Sequence, residues 1–177
     1  MDTYINIDRL QTWINKKETI TDILTPSLEK KFRATLDLSF EDLKIGDKAS
    51  SGIHWTLAPS INRHSELGDD SHAARGGFLP PVPFPRRMWA GCQTTFFSNF
   101  YVGDEVTRQS TIKDVFLKEG KSGKLCFVRV KHQFFVKDII ILEEFQDIVY
   151  RDIVLKNAKE KQKVLFEQAD LLKKYTH

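Results

Sequence analysis

Three groups of residues in this 177-residue chain have the types and spacing for chemistry. The first is the loop Leu67-Gly68-Asp69-Asp70-Ser71-His72, where acids precede a histidine by three and by two positions. A carboxylate and an imidazole within reach of one water can share a proton transfer. The second is Arg86-Arg87, set in an apolar run stiffened by Pro80, Pro81, Pro83 and Pro85. Guanidinium forks suit a phosphate or a carboxylate, and equally suit salt bridges that pin such a run to a sheet. The third is His54-Trp55. We read it as the start of a buried strand, with His54 a core histidine satisfied by a backbone group.

Composition narrows the partners. The net charge is +3, and Lys and Arg are spread among Asp and Glu. A nucleic-acid surface needs a concentrated basic stripe, so a small anionic ligand is the better match to Arg86-Arg87. The two cysteines, Cys92 and Cys126, have no metal-ligand spacing and are read as buried free thiols. No metal and no organic cofactor is implied. The longest apolar stretch, Ile139 to Leu142, is far too short to span a bilayer. No signal peptide is read at the N-terminus. The expected location is the cytoplasm, or an organelle matrix if a targeting segment has been removed.

These residues need a scaffold, and 177 residues suit one domain with a real core. The first forty residues read as helical. Ile7, Leu10 and Ile14 repeat at helical spacing. Thr25 is an N-cap followed by Pro26, and Leu28, Phe32 and Leu36 mark one face of a helix over about Pro26 to Leu36. A short strand is expected over Ile53–Ala58, loop over residues 60–77, and a stiff extended connector through the prolines. Pro85 is expected to open a helical turn through Met88. The period then changes to two. Strands are expected over Trp89–Phe97, Glu105–Leu117, Lys124–Val136 and Ile139–Arg151, with turns at Gly103-Asp104, Glu119–Gly123 and Lys137-Asp138. Cys126, Val128, Val130, Phe134 and Val136 share one face of the third, broken by His132. Helices followed by antiparallel strands indicate an α+β domain over residues 1–153. Residues 154–177 read as a charged C-terminal helix.

Several stretches together resemble one family. They are Ala34-Thr35-Leu36-Asp37, His54-Trp55, Leu67 to His72, Gly76 to Gly91 (GGFLPPVPFPRRMWAG), Val102 to Arg108, Lys118 to Gly123, and Glu143 to Arg151. Their order is similar to the N-terminal half of MaoC-like dehydratases, including mesaconyl-CoA hydratase and the type-2 hydroxyacyl-thioester dehydratases. The resemblance implies a hotdog fold, an antiparallel sheet wrapped around a central helix. It implies water addition to a 2-enoyl thioester, or its removal from a 3-hydroxyacyl thioester, of coenzyme A or acyl carrier protein. In longer members the second half carries an Asp and a His five residues apart in a G-D-x-N-P-x-H-like loop. That motif is absent from this sequence.

The resemblance therefore implies a substrate-accommodating subunit, in a heterodimer with a catalytic MaoC-like chain. Two alternatives stand beside it. One is a self-sufficient homodimer using His72 with Asp69 or Asp70. The other is a binding protein for acyl thioesters. Substrate contacts are assigned to Arg86, Arg87, Trp89, Gly77, Phe78 and Trp55. Gly76 and Gly77 could bring backbone N–H groups to a thioester carbonyl or simply form a turn. Trp55, Phe78, Trp89 and Phe97 could line an acyl tunnel or pack the core.

Overall fold

A computed structural model describes residues 4–120 and 123–152. The strand succession gives the expected α+β domain. Helix α1 (Ile7–Gln11) is capped by Asn6, whose side chain accepts from Arg9 N at 3.0 Å. Strand β1 (Lys17–Ile23) follows, then helix α2 (Pro26–Thr35), with Thr25 Oγ1 accepting from Leu28 N at 3.1 Å. The remaining strands are β2 (Arg86–Phe96), β3 (Glu105–Gly120), β4 (Gly123–Val136) and β5 (Ile139–Arg151). They form one antiparallel sheet in the order β1-β3-β4-β5-β2. Lys137 and Asp138 turn β4 into β5 with φ of 48° and 64°. Two residues with positive φ match the twist of the flanking strands.

Four local expectations are corrected. The first forty residues are not wholly helical: Lys17 to Ile23 pairs with Glu105 to Thr111, and those long-range backbone bonds override local helical spacing. Ile53–Thr56 is a 3₁₀ turn, entered through Gly52 at φ 94°, rather than a strand. Arg86 begins β2 directly instead of a helical turn, because Arg86, Arg87 and Met88 find register partners in Arg151, Tyr150 and Val149. Cys92 lies exposed on that same strand, while Cys126 is buried. The C-terminal helix expected over 154–177 lies outside the described residues.

Helix α2 also differs in what it buries. Its fully buried side chain is Glu29, while Leu36 is exposed. Glu29 accepts from Arg33 Nε at 2.7 Å and from the backbone N and hydroxyl of Ser50 at 2.9 and 2.6 Å. Arg33 in turn donates to the carbonyls of Ser39 and Lys48. A buried carboxylate thus ties the helix to the segment leading into the 3₁₀ turn.

Apolar residues cover the inner face of the sheet in two clusters. One gathers Leu10 of α1 and Val82 and Phe84 of the proline-rich connector over Ile112, Val128, Val130 and Tyr150. The other sets Ile53 and Leu57 over Val106, Phe134 and Leu142, with Leu28 and Phe32 of α2 packed against it. Between the clusters the inner face is polar. Ser110, His132, Glu144 and Thr94 are cross-strand neighbours on β3, β4, β5 and β2. His132, the break in the apolar alternation of β4, belongs to this seam.

Candidate functional site

The loop that carries Asp70 and His72 is folded back on itself. Gly68 N donates to His72 O at 2.8 Å, and Ser71 occupies a left-handed conformation at φ 59°. His72 is exposed, and its Nδ1 lies 2.8 Å from the Asp70 carbonyl oxygen and 3.7 Å from Asp70 Oδ1. Asp70 is engaged elsewhere. Its Oδ2 lies 3.1 Å from Arg87 Nη2 and 3.8 Å from Arg75 Nη2, and its Oδ1 accepts from His72 N at 3.3 Å. Partial burial alone would raise its carboxyl pKa. The His72 N–H and the charges of Arg87, His72 and Arg75 outweigh this, and hold it below the ordinary aspartate value. Asp70 is therefore an ionised anchor at neutral pH. Asp69 is exposed beside it.

The arginine pair is divided by the period of the strand. Arg86 and Arg87 are adjacent on β2, so their side chains leave opposite faces. Arg87 is 90% shielded and reaches Asp70. Arg86 is exposed and borders an open hollow of about 540 Å³ between the 68–75 loop and Pro85. The residue that pins the proline-rich connector is Arg75, which the sequence reading did not single out. Its guanidinium donates to the carbonyls of Val82, Phe84 and Pro85 and sits 5.2 Å from the centre of the Tyr150 ring.

Gly76, at φ 97°, forms a turn closed by its N–H to Leu79 O at 2.9 Å. The Gly77 carbonyl accepts from Trp13 Nε1 and Lys16 Nζ, which fastens the segment between α1 and β1 to the turn. Phe78 packs against the first apolar cluster. Trp55 and Trp89 do come together, edge to face, with ring centres 6.0 Å apart. Both are more than half exposed, as is Phe97, with Phe96 at half. They gather along β2, an edge strand whose other side has no partner within the described residues.

Behind this rim lies a carboxylate not anticipated from the sequence. Glu144 Oε2 accepts from Trp55 Nε1 at 3.0 Å and Thr94 Oγ1 at 2.9 Å, and lies 3.2 Å from His54 Nε2. Burial raises the Glu144 pKa, and the hydrogen bonds from His54, Trp55 and Thr94 overcome it, leaving the group below its usual value. His54 is a core histidine, as expected, but its partner is this side chain rather than a backbone group. The seam continues to His132, whose ring lies 2.8 Å from Ser110 Oγ and 3.2 Å from Gln146 Oε1. Burial, helped by the Arg108 charge, holds His132 below the ordinary histidine value against the Gln146 bond. A neutral ring fits these partners, accepting from Ser110 and donating to Gln146. The sequence did carry a signal: His132 and Glu144 fall on the apolar phase of their strands. Among the described residues no group of His, Cys, Asp and Glu is arranged to hold a metal ion.

The model of the family described as "Hydroxyacyl-thioester dehydratase type 2" matches residues 52–177. The chain belongs to that family. A mesaconyl-C(4)-CoA hydratase of Chloroflexus aurantiacus is 34% identical over 140 residues, covering 79% of this chain and 50% of the relative. This member of the dehydratase family thus spans about half the length of that relative. Its fold is similar to the ChsH1-ChsH2 complex of Mycobacterium tuberculosis, with a TM-score of 0.61 at 12% identity over 84% of this chain and 90% of that one. It is also similar to a MaoC-like dehydratase of Phytophthora capsici, with a TM-score of 0.57 at 11% identity over 85% of this chain and 51% of that one. At such identities the likeness shows the fold, which is the hotdog expected for a type-2 dehydratase.

Proposed function

We propose that this chain is the substrate-accommodating component of an acyl-thioester hydratase/dehydratase, a hydro-lyase whose Asp/His pair comes from a partner MaoC-like chain. The observation that carries the reading is the engagement of Asp70. The carboxylate nearest His72 is ion-paired to Arg87, and the His72 ring faces the Asp70 backbone. Asp70 is thus not free to share a proton with His72, and His72 stands two-thirds exposed rather than held at a shaped site, whereas a general base works only when held within hydrogen-bond reach of the proton it takes.

Three further features support the same reading. The family match is to a thioester dehydratase. The relative with mesaconyl-C(4)-CoA hydratase activity in its name is twice the length matched, which leaves room for a second hotdog. The β2 edge carries unpaired backbone groups beside Trp55, Trp89, Phe96 and Phe97, the surface a second sheet would cover. In this reading Arg86 meets a phosphate of coenzyme A or of a carrier's prosthetic arm. Trp55 and Trp89 flank the acyl chain, and Arg87, Gly77 and Phe78 hold the wall behind it. A cytoplasmic location goes with the free thiols.

The test is hydration of a crotonyl thioester by the purified chain, alone and mixed with a hotdog chain that carries the G-D-x-N-P-x-H motif. We expect background turnover alone and robust turnover in the mixture. Turnover by the chain alone that is lost in His72→Ala supports the homodimeric enzyme instead. Thioester binding without turnover in either setting supports a binding protein.

A further inference from the structure

The strongest feature outside the loop and the arginine pair is one ring nitrogen. Glu144 is ionised and accepts only, so the ring nitrogen facing it, His54 Nε2, carries the proton. That leaves Nδ1 as the second hydrogen-bonding atom of the ring. It is buried and has no partner among the described residues. Buried polar atoms are nearly always paired, so an orphan in a well-ordered core needs a reason. Its surroundings supply one. The rings of Trp55, Phe134 and Phe96 stand 5.0, 5.5 and 5.9 Å from the His54 ring. Phe134 closes the inner side, while Trp55 and Phe96 are half exposed at the β2 edge. A shielded, unpaired polar atom among aromatic rings, two of which reach the exposed edge, has the makings of a small-ligand site: apolar walls and few, placed polar groups.

We propose that His54 Nδ1 is a specificity-determining contact, receiving a hydroxyl carried on an acyl chain that enters between Trp55 and Phe96. A hydroxyl both donates and accepts, so it pairs with Nδ1 whether or not that nitrogen carries a proton. Glu144 acts through His54 as a positioning residue. It fixes which nitrogen is free and, through Trp55 Nε1, sets one wall of the site. An alkyl chain leaves Nδ1 orphaned and binds more weakly, because a site built to pair a hydroxyl penalises the analogue that lacks it. The inference rests on the acyl-thioester reading above but does not require turnover or a phosphate contact.

The test is calorimetric titration of the chain with two N-acetylcysteamine thioesters, 3-hydroxybutyryl and butyryl, following Trp55 emission in parallel. These probes lack the nucleotide, so Arg86 does not enter. We expect the hydroxylated thioester to bind about tenfold tighter and to change Trp55 emission. His54→Phe, with an unchanged thermal transition, should bring the ratio to about one, and His54→Gln should keep part of it. Equal binding of both thioesters by the wild type overturns the proposal while leaving the acyl-binding reading intact. So does a preference that survives in His54→Phe, or that vanishes equally in His54→Gln. Failure of the wild type to bind either thioester at millimolar concentration overturns both. If His54→Phe does not fold, the wild-type ratio and His54→Gln decide.

Discussion

Arg87 Nη2 lies 3.1 Å from Asp70 Oδ2, so one of the two arginines assigned to a substrate holds the carboxylate that the homodimeric alternative would use with His72. The contact joins β2 to the 68–75 loop, and Arg75 joins the same carboxylate to the proline-rich connector. One small network thus fixes the loop, the connector and the strand relative to each other.

Acid should weaken the fold through this network and the seam. Asp70 and Glu144 both have folded pKa values below their ordinary 3.8 and 4.5. Groups with depressed folded pKa values contribute stability that is fully present above the unfolded values. That stability is lost as pH falls through the folded ones. Melting temperature should therefore hold down to about pH 5 and drop below about pH 4. Asp70→Asn should lower stability at neutral pH and flatten the acid limb, as read by thermal melts from pH 7 to pH 2.5.

Arg86 and Arg87 should separate when mutated one at a time. Arg86→Ala removes an exposed charge and should leave the melting temperature unchanged. If a phosphate lies there, affinity for a coenzyme A thioester falls about tenfold, the worth of one charge-assisted hydrogen bond. Arg87→Ala leaves Asp70 without its nearest cation and should cost about 1–3 kcal/mol. This is less than breaking a fully buried pair, because Asp70 is about a third exposed. Paired melts and titrations of the two variants check the division.

Glu144→Leu should be among the most destabilising single changes. It strips a shared acceptor from His54, Trp55 and Thr94, all at or near a buried site. Breaking such a buried hydrogen-bonded charge costs about 3–5 kcal/mol. Denaturant midpoints report the loss, and the emission of Trp55 should shift as its N–H loses an ionised partner.

The β2 edge should associate. Trp89→Ser together with Phe97→Ser removes two exposed aromatic rings from it without touching either apolar cluster. Sedimentation should show the wild type as a dimer, with itself or with a catalytic chain, and the double variant shifted toward monomer. Monomer for the wild type at micromolar concentration, with no complex on mixing, counts against the edge as an interface.

Much of the frame was legible in order along the chain. Period-two alternation from Glu105 onward, the Lys137-Asp138 turn and the Thr25-Pro26 start each express a local preference that survives folding. The proline run is extended for reasons internal to its rings. Local signals failed where a distant strand made the decision. Lys17–Ile23 is a strand because β3 supplies its backbone partners, and Arg86 enters β2 because Arg151 lies opposite. The site divided in the same way. Residue types at Asp70, His72, Arg86 and Arg87 announced possible proton and anion chemistry. Which arginine is engaged followed from strand parity and from a loop folding back 17 residues earlier in the chain. The seam of Ser110, His132, Glu144 and Thr94 joins residues up to 50 positions apart. Only the sheet register makes them neighbours, because cross-strand contacts depend on pairing that no local window contains.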